Sequence, residues 1–162
     1  MRISLVVAMD RRGGIGLRGG MPWHLGDDLR HFRRLTMGHH LLMGRVTYEA
    51  TAGKLPGRDL IVLSRDAGFQ PADAQVAGSL AAGIQLAEAA GEEELFVIGG
   101  GQVFAEALPL AGRLYLTRVH AEVEADTFFP AFDESDWRLI SQRDYAASER
   151  NDFDFSLMVL ER

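Results

Sequence analysis

Met21-Pro22-Trp23-His24-Leu25-Gly26-Asp27-Asp28-Leu29-Arg30-His31-Phe32 is the stretch on which the reading of this chain turns. A proline and a tryptophan close a glycine-rich run, and two carboxylates open a helix. Leu25, Leu29, Phe32, Leu35 and Thr36 recur at helical spacing and form one face. Asp28 shares that face. Asp27 lies about 100° around the helix, on the side of His31, Arg30 and Arg34. The adjacent acids are therefore expected in different surroundings, Asp27 in water and Asp28 toward the apolar side. A carboxylate favours any helix N-terminus, which suffices for Asp27. An unpaired charge on an apolar face is costly, so Asp28 reads as a group that meets a partner or a ligand there.

Working outward, the helix is predicted from Gly26 to Met37, ending at Gly38. Upstream, Asp10 to Gly20 holds five glycines in eleven residues, the composition of an irregular, mobile loop. Its later part carries Ile15 and Leu17 and leads to Met21 and Trp23, residues that solvent does not favour, so it reads as a lid over a site. Ile3 to Met9 is a continuous apolar run, the pattern of a strand buried on both faces. Downstream, strands are expected at His39–Met43, Asp59–Ser64, Gln75–Ala77, Glu94–Ile98 and Arg113–Val119. Helices are expected from Gly44 to Ala50, from Leu80 to Ala90 with Ser79 as N-cap, and from Gln102 to Leu108. Residues 120–134 form a long connection, and Trp137–Ala146 with Phe153–Leu160 read as a closing hairpin. Alternating strands and helices followed by strands alone give an α/β domain, its sheet mostly parallel with an antiparallel edge.

The 162 residues suit one domain, with 47% hydrophobic and 25% charged side chains. A net charge of −6 argues against bulk nucleic-acid binding but leaves room for a small anion at a local positive site. With no cysteine there is no disulfide, thiolate nucleophile or Cys-ligated metal. The N-terminal apolar run is too short for a signal peptide, and no run reaches the length of a membrane span; a cytoplasmic location is expected. His39 and His40, adjacent on a strand, point to opposite faces and do not share a metal.

Three predicted strands end in residues suited to phosphate: Met43-Gly44-Arg45-Val46-Thr47, Leu63-Ser64-Arg65, and Ile98-Gly99-Gly100-Gly101 before a helix. In a parallel sheet these ends share one rim. Glycines at a helix start let backbone N–H groups approach an anion, and arginine supplies a guanidinium fork. Neither the G-x-G-x-x-G fingerprint nor a P-loop is present. The rim fits a ligand with more than one phosphate, such as a dinucleotide.

Taken together these stretches resemble the dihydrofolate reductase family. The matches are Ile3–Ala8, Gly16–Phe32 around Met21-Pro22-Trp23, Met43–Glu49, Leu55-Pro56-Gly57-Arg58, Val97–Gly101, Leu114–Thr117 and Ala121–Pro130, in family order over nearly the whole chain. The resemblance implies a single three-layer domain over residues 1–162. Its eight-stranded, mostly parallel sheet would carry an antiparallel C-terminal strand and about four flanking helices. It implies hydride transfer from NADPH to 7,8-dihydrofolate in one-carbon metabolism, a monomer, and sensitivity to antifolate inhibitors.

The family's roles carry over by position. Asp28 would hold the pteridine and assist protonation at N5 with water, Thr117 would orient Asp28, and Trp23 would hold a water. Phe32 would pack on the pteridine, Val6 and Ile98 would offer carbonyls to its amino group, and Arg58 would hold the α-carboxylate of the tail. Ala8, Ile15, Gly16 and Phe104 would line the nicotinamide pocket under Met21. Gly44, Arg45 and Thr47, with Gly100, Gly101, Gln102 and Val103, would bind the cofactor phosphates, and Ser64 and Arg65 would face the 2′-phosphate. Gln102 departs from a common cation, Phe104 from a frequent tyrosine and Ala125 from a frequent glycine. The extra glycines imply a more mobile lid. Two rivals are a reductase of another pterin or pyrimidine, with no reason to keep Asp28, Phe32 and Arg58 together, and a nucleotide-binding module needing no substrate carboxylate.

Overall fold

In the computed structural model, which describes residues 1–162, the N-terminal apolar run is strand β1 (Arg2–Met9). There follow β2 (Gly14–Gly16), α1 (Gly26–Thr36), β3 (His40–Gly44), α2 (Arg45–Ala50), β4 (Asp59–Leu63), β5 (Ala74–Ala77), α3 (Leu80–Ala89) and β6 (Glu94–Gly99). The remainder is α4 (Gly101–Ala107), β7 (Arg113–Val119), β8 (Thr127–Phe128), β9 (Arg138–Tyr145) and β10 (Phe155–Glu161). Eight strands form one sheet in the order β5-β4-β3-β6-β1-β7-β10-β9. Only β10 runs against the rest, antiparallel to both β7 and β9.

The side-chain alternation of the strands builds the three layers. In β1, Leu5, Val7 and Met9 pack with Ala87 of α3 and Phe104 and Ala107 of α4. On the opposite face Val6 joins Phe96, Ile98 and Tyr115 against Phe32 and Leu35 of α1 and Tyr48 of α2. Burying a large apolar side chain contributes about 1.5–3 kcal/mol, and Leu5, Leu41, Leu95, Phe96, Val97 and Leu114 are fully buried. These residues come from the central strands, which explains why their sequences read as continuous apolar runs.

Two expectations are corrected here. The glycine-rich loop and the connection after β7 are not wholly irregular: β2 and β8 pair as a small antiparallel ribbon. Nor do His39 and His40 diverge. His39 precedes β3, where its N–H bonds Thr36, so strand alternation does not govern it. Both ring Nδ1 atoms meet Glu92, at 3.0 and 2.8 Å. Burial works to raise the Glu92 carboxyl, but these rings and the backbone N–H groups of His40 and Glu94 outweigh it and hold it at about 2. A carboxyl lowered on folding stabilises above its unfolded pKa, here near 4.5, and loses that contribution as pH falls toward about 2. Glu92→Gln therefore costs most near neutrality, and the Tm gap between variant and parent narrows as pH falls through about 4. A gap independent of pH would contradict this.

Candidate active site

One cleft of about 1630 Å³ runs across the carboxyl ends of the central strands. Its floor follows from the alternation: Val6 and Ala8 of β1, Ile98 of β6 and Thr117 of β7 face the same side, with Ala8 and Thr117 in register. Phe32 of α1 forms a wall. Asp28, in the first turn of α1, accepts the Thr117 hydroxyl at 2.7 Å. That is its one side-chain partner within the chain, and no cation pairs with it. Burial pushes the Asp28 carboxyl up to about 6, with the Thr117 bond holding it back. A carboxylate so placed can accept hydrogen bonds from a ligand or carry a proton near neutral pH.

Arg58 lies further along the cleft. Its Nη1 donates to Thr36 Oγ1 at 3.2 Å, while its buried Nε has no partner. Burial, and the nearby Arg33, lower its pKa. A half-buried guanidinium without an acid is suited to a carboxylate ligand. Leu29 corrects the helix-face reading: it is 42% exposed and lines the cleft instead of the core. Asp27 corrects it too. It is only 15% exposed in its side chain, accepts Asn151 Nδ2 at 2.9 Å and meets Arg150 Nε at 3.2 Å. These bonds lower its pKa, Asn151 foremost, and tie α1 to the turn before β10.

The other half of the cleft is lined by glycines and helix starts. Gly44, Arg45 and Thr47 at α2, Ser79 at α3, and Gly100, Gly101, Gln102, Val103 and Phe104 at α4 all border it, as do Ser64 and Arg65 after β4. Three helix N-termini thus open on one space, and N–H groups at such ends favour anions. At Gly101 a Cβ would lie 3.1 Å from the Phe128 carbonyl, so a side chain there would crowd the segment before β9. Arg65 makes no ion pair. Arg45, however, is held by Glu49 at 3.0 Å and Asp66 at 2.9 Å and lies over Phe69. Sequence reasoning missed these acids, although Glu49 stands at the i+4 spacing that pairs with Arg45.

Ile15, Gly16 and Met21 reach the cleft from the glycine-rich segment. Its base is pinned. Buried Asp10 accepts N–H groups of Arg12, Gly14 and Val123 at 2.8–2.9 Å. Asp126 accepts Arg18 N–H at 2.9 Å, and its own N–H bonds the Gly16 carbonyl. Arg18 takes a positive φ of 51° in this turn. At Gly14 a Cβ would lie 2.7 Å from Ala125 Cβ; the two segments are in direct contact. Trp23 is the one expected site residue that does not line the cleft. It packs with Leu25, Val119 and Phe155, and its buried Nε1 has no hydrogen-bond partner.

Comparison with known proteins matches residues 2–162 to the family described as dihydrofolate reductase. The chain belongs to the dihydrofolate reductase family. A dihydrofolate reductase of Bacillus subtilis is 40% identical over 162 residues, covering 99% of this chain and 94% of the relative. A type 3 dihydrofolate reductase of Salmonella typhimurium is also 40% identical, covering 100% and 99%. The solved Enterococcus faecalis dihydrofolate reductase, complexed with NADP(H) and RAB-propyl, superposes with a TM-score of 0.89. It is 34% identical, covering 99% of this chain and 96% of its own. Against the dihydrofolate reductase pattern, Phe104 lies 5.2 Å from Phe129 between ring centroids, and Gln102 is exposed at the cleft rim. No helix is long and apolar enough to cross a membrane.

Proposed function

We propose that this chain reduces 7,8-dihydrofolate to 5,6,7,8-tetrahydrofolate with NADPH, acting as a monomeric cytoplasmic enzyme of one-carbon metabolism that antifolates inhibit. Asp28 carries the reading. It is a largely buried carboxylate with one hydroxyl donor and no cation, on the floor of a cleft whose far end holds the unpaired Arg58. A pteridine presents an amino group and a ring N–H to such a carboxylate, and the glutamate tail presents an acid to Arg58. Neither group serves a plain nucleotide-binding module.

The glycine half of the cleft fits a dinucleotide phosphate, given the helix starts of α2, α3 and α4 that border it and Arg65 beside them. NADPH, when bound, supplies the hydride. Gly44, Thr47, Gly100, Gly101, Gln102 and Val103 would hold its phosphates, and Ser64 and Arg65 its 2′-phosphate. Arg45 would join them by exchanging its exposed acid partners. Ala8, Ile15, Gly16 and Phe104 would border the nicotinamide, with Met21 excluding water. Val6 and Ile98 would accept the pteridine amino group, Phe32 would stack beside the ring, and Thr117 would orient Asp28. Asp28 would raise the ring's readiness to accept a proton at N5, and water would bring that proton. Trp23 would hold a water through its unpartnered Nε1, close to the substrate but outside the cleft wall.

The test is calorimetry with methotrexate in the presence of NADPH. Its diaminopteridine is a base that pairs as a cation with ionised Asp28. Tight binding that weakens sharply in Asp28→Asn supports the assignment, and failure to bind overturns it. In the cofactor half, Arg65→Ala is expected to remove about 1.5–3 kcal/mol of charged hydrogen bonding. The NADPH/NADH ratio of kcat/KM then falls roughly ten- to hundredfold; an unchanged ratio would refute that role.

A further inference from the structure

We propose that Asn151 is a positioning residue for the chemistry at Asp28: it caps helix α1 from outside and so fixes where the Asp28 carboxylate stands. The inference rests on the reading of Asp28 as the substrate carboxylate. A helix leaves its first N–H groups without partners of its own, and a Ser, Thr, Asp or Asn side chain at the N-cap commonly accepts one of them. Here the N-cap is Leu25, whose side chain accepts none. The turn before β10 supplies the acceptors instead. The Gly26 N–H donates to the Arg150 carbonyl at 2.7 Å, and the Asp27 N–H donates to Asn151 Oδ1 at 3.1 Å. The same amide returns a bond, its Nδ2 donating to Asp27 Oδ2 at 2.9 Å. Asparagine suits the place because its side chain both accepts and donates.

The surroundings leave this pair little slack. Asn151 is 2% exposed, and its backbone N–H and carbonyl both bond Ser148, which closes the turn. Leu25 faces it as an isolated antiparallel bridge. At Gly26 a Cβ would lie 3.1 Å from the Arg150 carbonyl, so a side chain there would push helix and turn apart. Arg150 Nε takes the other Asp27 oxygen at 3.2 Å. Asp28 is the next residue. Its carboxylate has only the Thr117 hydroxyl as a side-chain partner, so the backbone of the first turn of α1 decides the rest of its position. Both supports lead to β10: Thr117 pairs with Leu157 of that strand, and Asn151 lies in the turn that leads into it. A group that meets a ring amino group and a ring N–H together has to be held to about 0.5 Å, and a displacement of about 1 Å costs up to roughly 10²-fold in rate. Without the Asn151 amide the first turn loses an acceptor and the brace on Asp27, and the carboxylate drifts.

Asn151→Ala removes both side-chain bonds to Asp27. Single-turnover oxidation of NADPH by dihydrofolate is measured for the parent, Asn151→Ala, Asp28→Asn and the double variant, with the NADPH affinity of each. In Asn151→Ala the hydride step slows about tenfold, and NADPH affinity stays within about twofold of the parent. Added to Asp28→Asn, the same substitution slows the step by less than about twofold further, because the group it positions is already gone. Equal slowing in both backgrounds means that Asn151 does not act through Asp28 and overturns the proposal. An equal loss of NADPH affinity, or no slowing, also overturns it. If Asn151→Ala does not fold, an exchange of the pair decides. Asn151→Asp sets two carboxylates against each other and slows the step at least about threefold; adding Asp27→Asn restores donor and acceptor and returns the rate to within about twofold of the parent. No slowing, or no recovery, overturns the proposal. A parent without dihydrofolate-dependent oxidation, or an Asp28→Asn that turns over like the parent, overturns the functional reading and the proposal with it. A parent that turns over, with a slow Asp28→Asn and multiplying losses in the double variant, overturns the proposal alone.

Discussion

Asp28→Asn lowers kcat roughly 10²–10⁴-fold, the range associated with a lost acid–base group, while NADPH affinity stays within about twofold. Asparagine keeps the size of the side chain and still accepts the Thr117 hydroxyl, so the helix start and the cleft floor are preserved. What is lost is a group that carries a proton. The separation of effects follows from distance in the fold: Asp28 stands at the start of α1, whereas the cofactor half is built on α2, α3 and α4. The parent enzyme also carries a pH signature. Because burial raises Asp28 to about 6, the protonated form disappears as pH rises through that value. In the parent, kcat/KM for dihydrofolate then declines, and in Asp28→Asn that bend is absent. Steady-state kinetics across pH, with NADPH titrations of both proteins, check both outcomes. Equal losses in rate and cofactor affinity would mean that the carboxylate has been misplaced.

Arg58→Gln raises KM for dihydrofolate roughly ten- to hundredfold, the equivalent of about 1.5–3 kcal/mol for a charged hydrogen-bonding partner, with kcat within about threefold. The guanidinium is positioned in advance by Thr36, one turn after Phe32 on α1, and has no acid within the chain. On the proposed reading it would meet the tail carboxylate without first breaking an ion pair. A substrate analogue lacking the glutamate tail provides the control: its KM responds little to the substitution. A variant that lowers kcat and leaves KM unchanged would show that Arg58 acts elsewhere.

Much of the Asp28 end was legible in the sequence because helical periodicity places Asp28 and Phe32 on one face, and the apolar runs of β1, β6 and β7 mark the central strands beneath them. The rim glycines and arginines were legible because strand ends in a parallel sheet share a side. What escaped depends on long-range contacts. Asp27 meets Asn151, 124 positions away, and the helix wheel alone places it in water. Leu29 fits the apolar stripe, but its side of α1 meets the cleft instead of the sheet. The β2–β8 ribbon is a three-residue strand paired with a two-residue strand, too short to show a period of two. His39 and His40 converge because the chain is still turning at His39.

Dihydrofolate reduction is tested by following the loss of reduced-nicotinamide absorbance with NADPH alone, with dihydrofolate added, and with methotrexate added to both. The expected result is oxidation that requires dihydrofolate and stops with methotrexate. NADPH binding without dihydrofolate-dependent oxidation would contradict it and point to another substrate for the same fold.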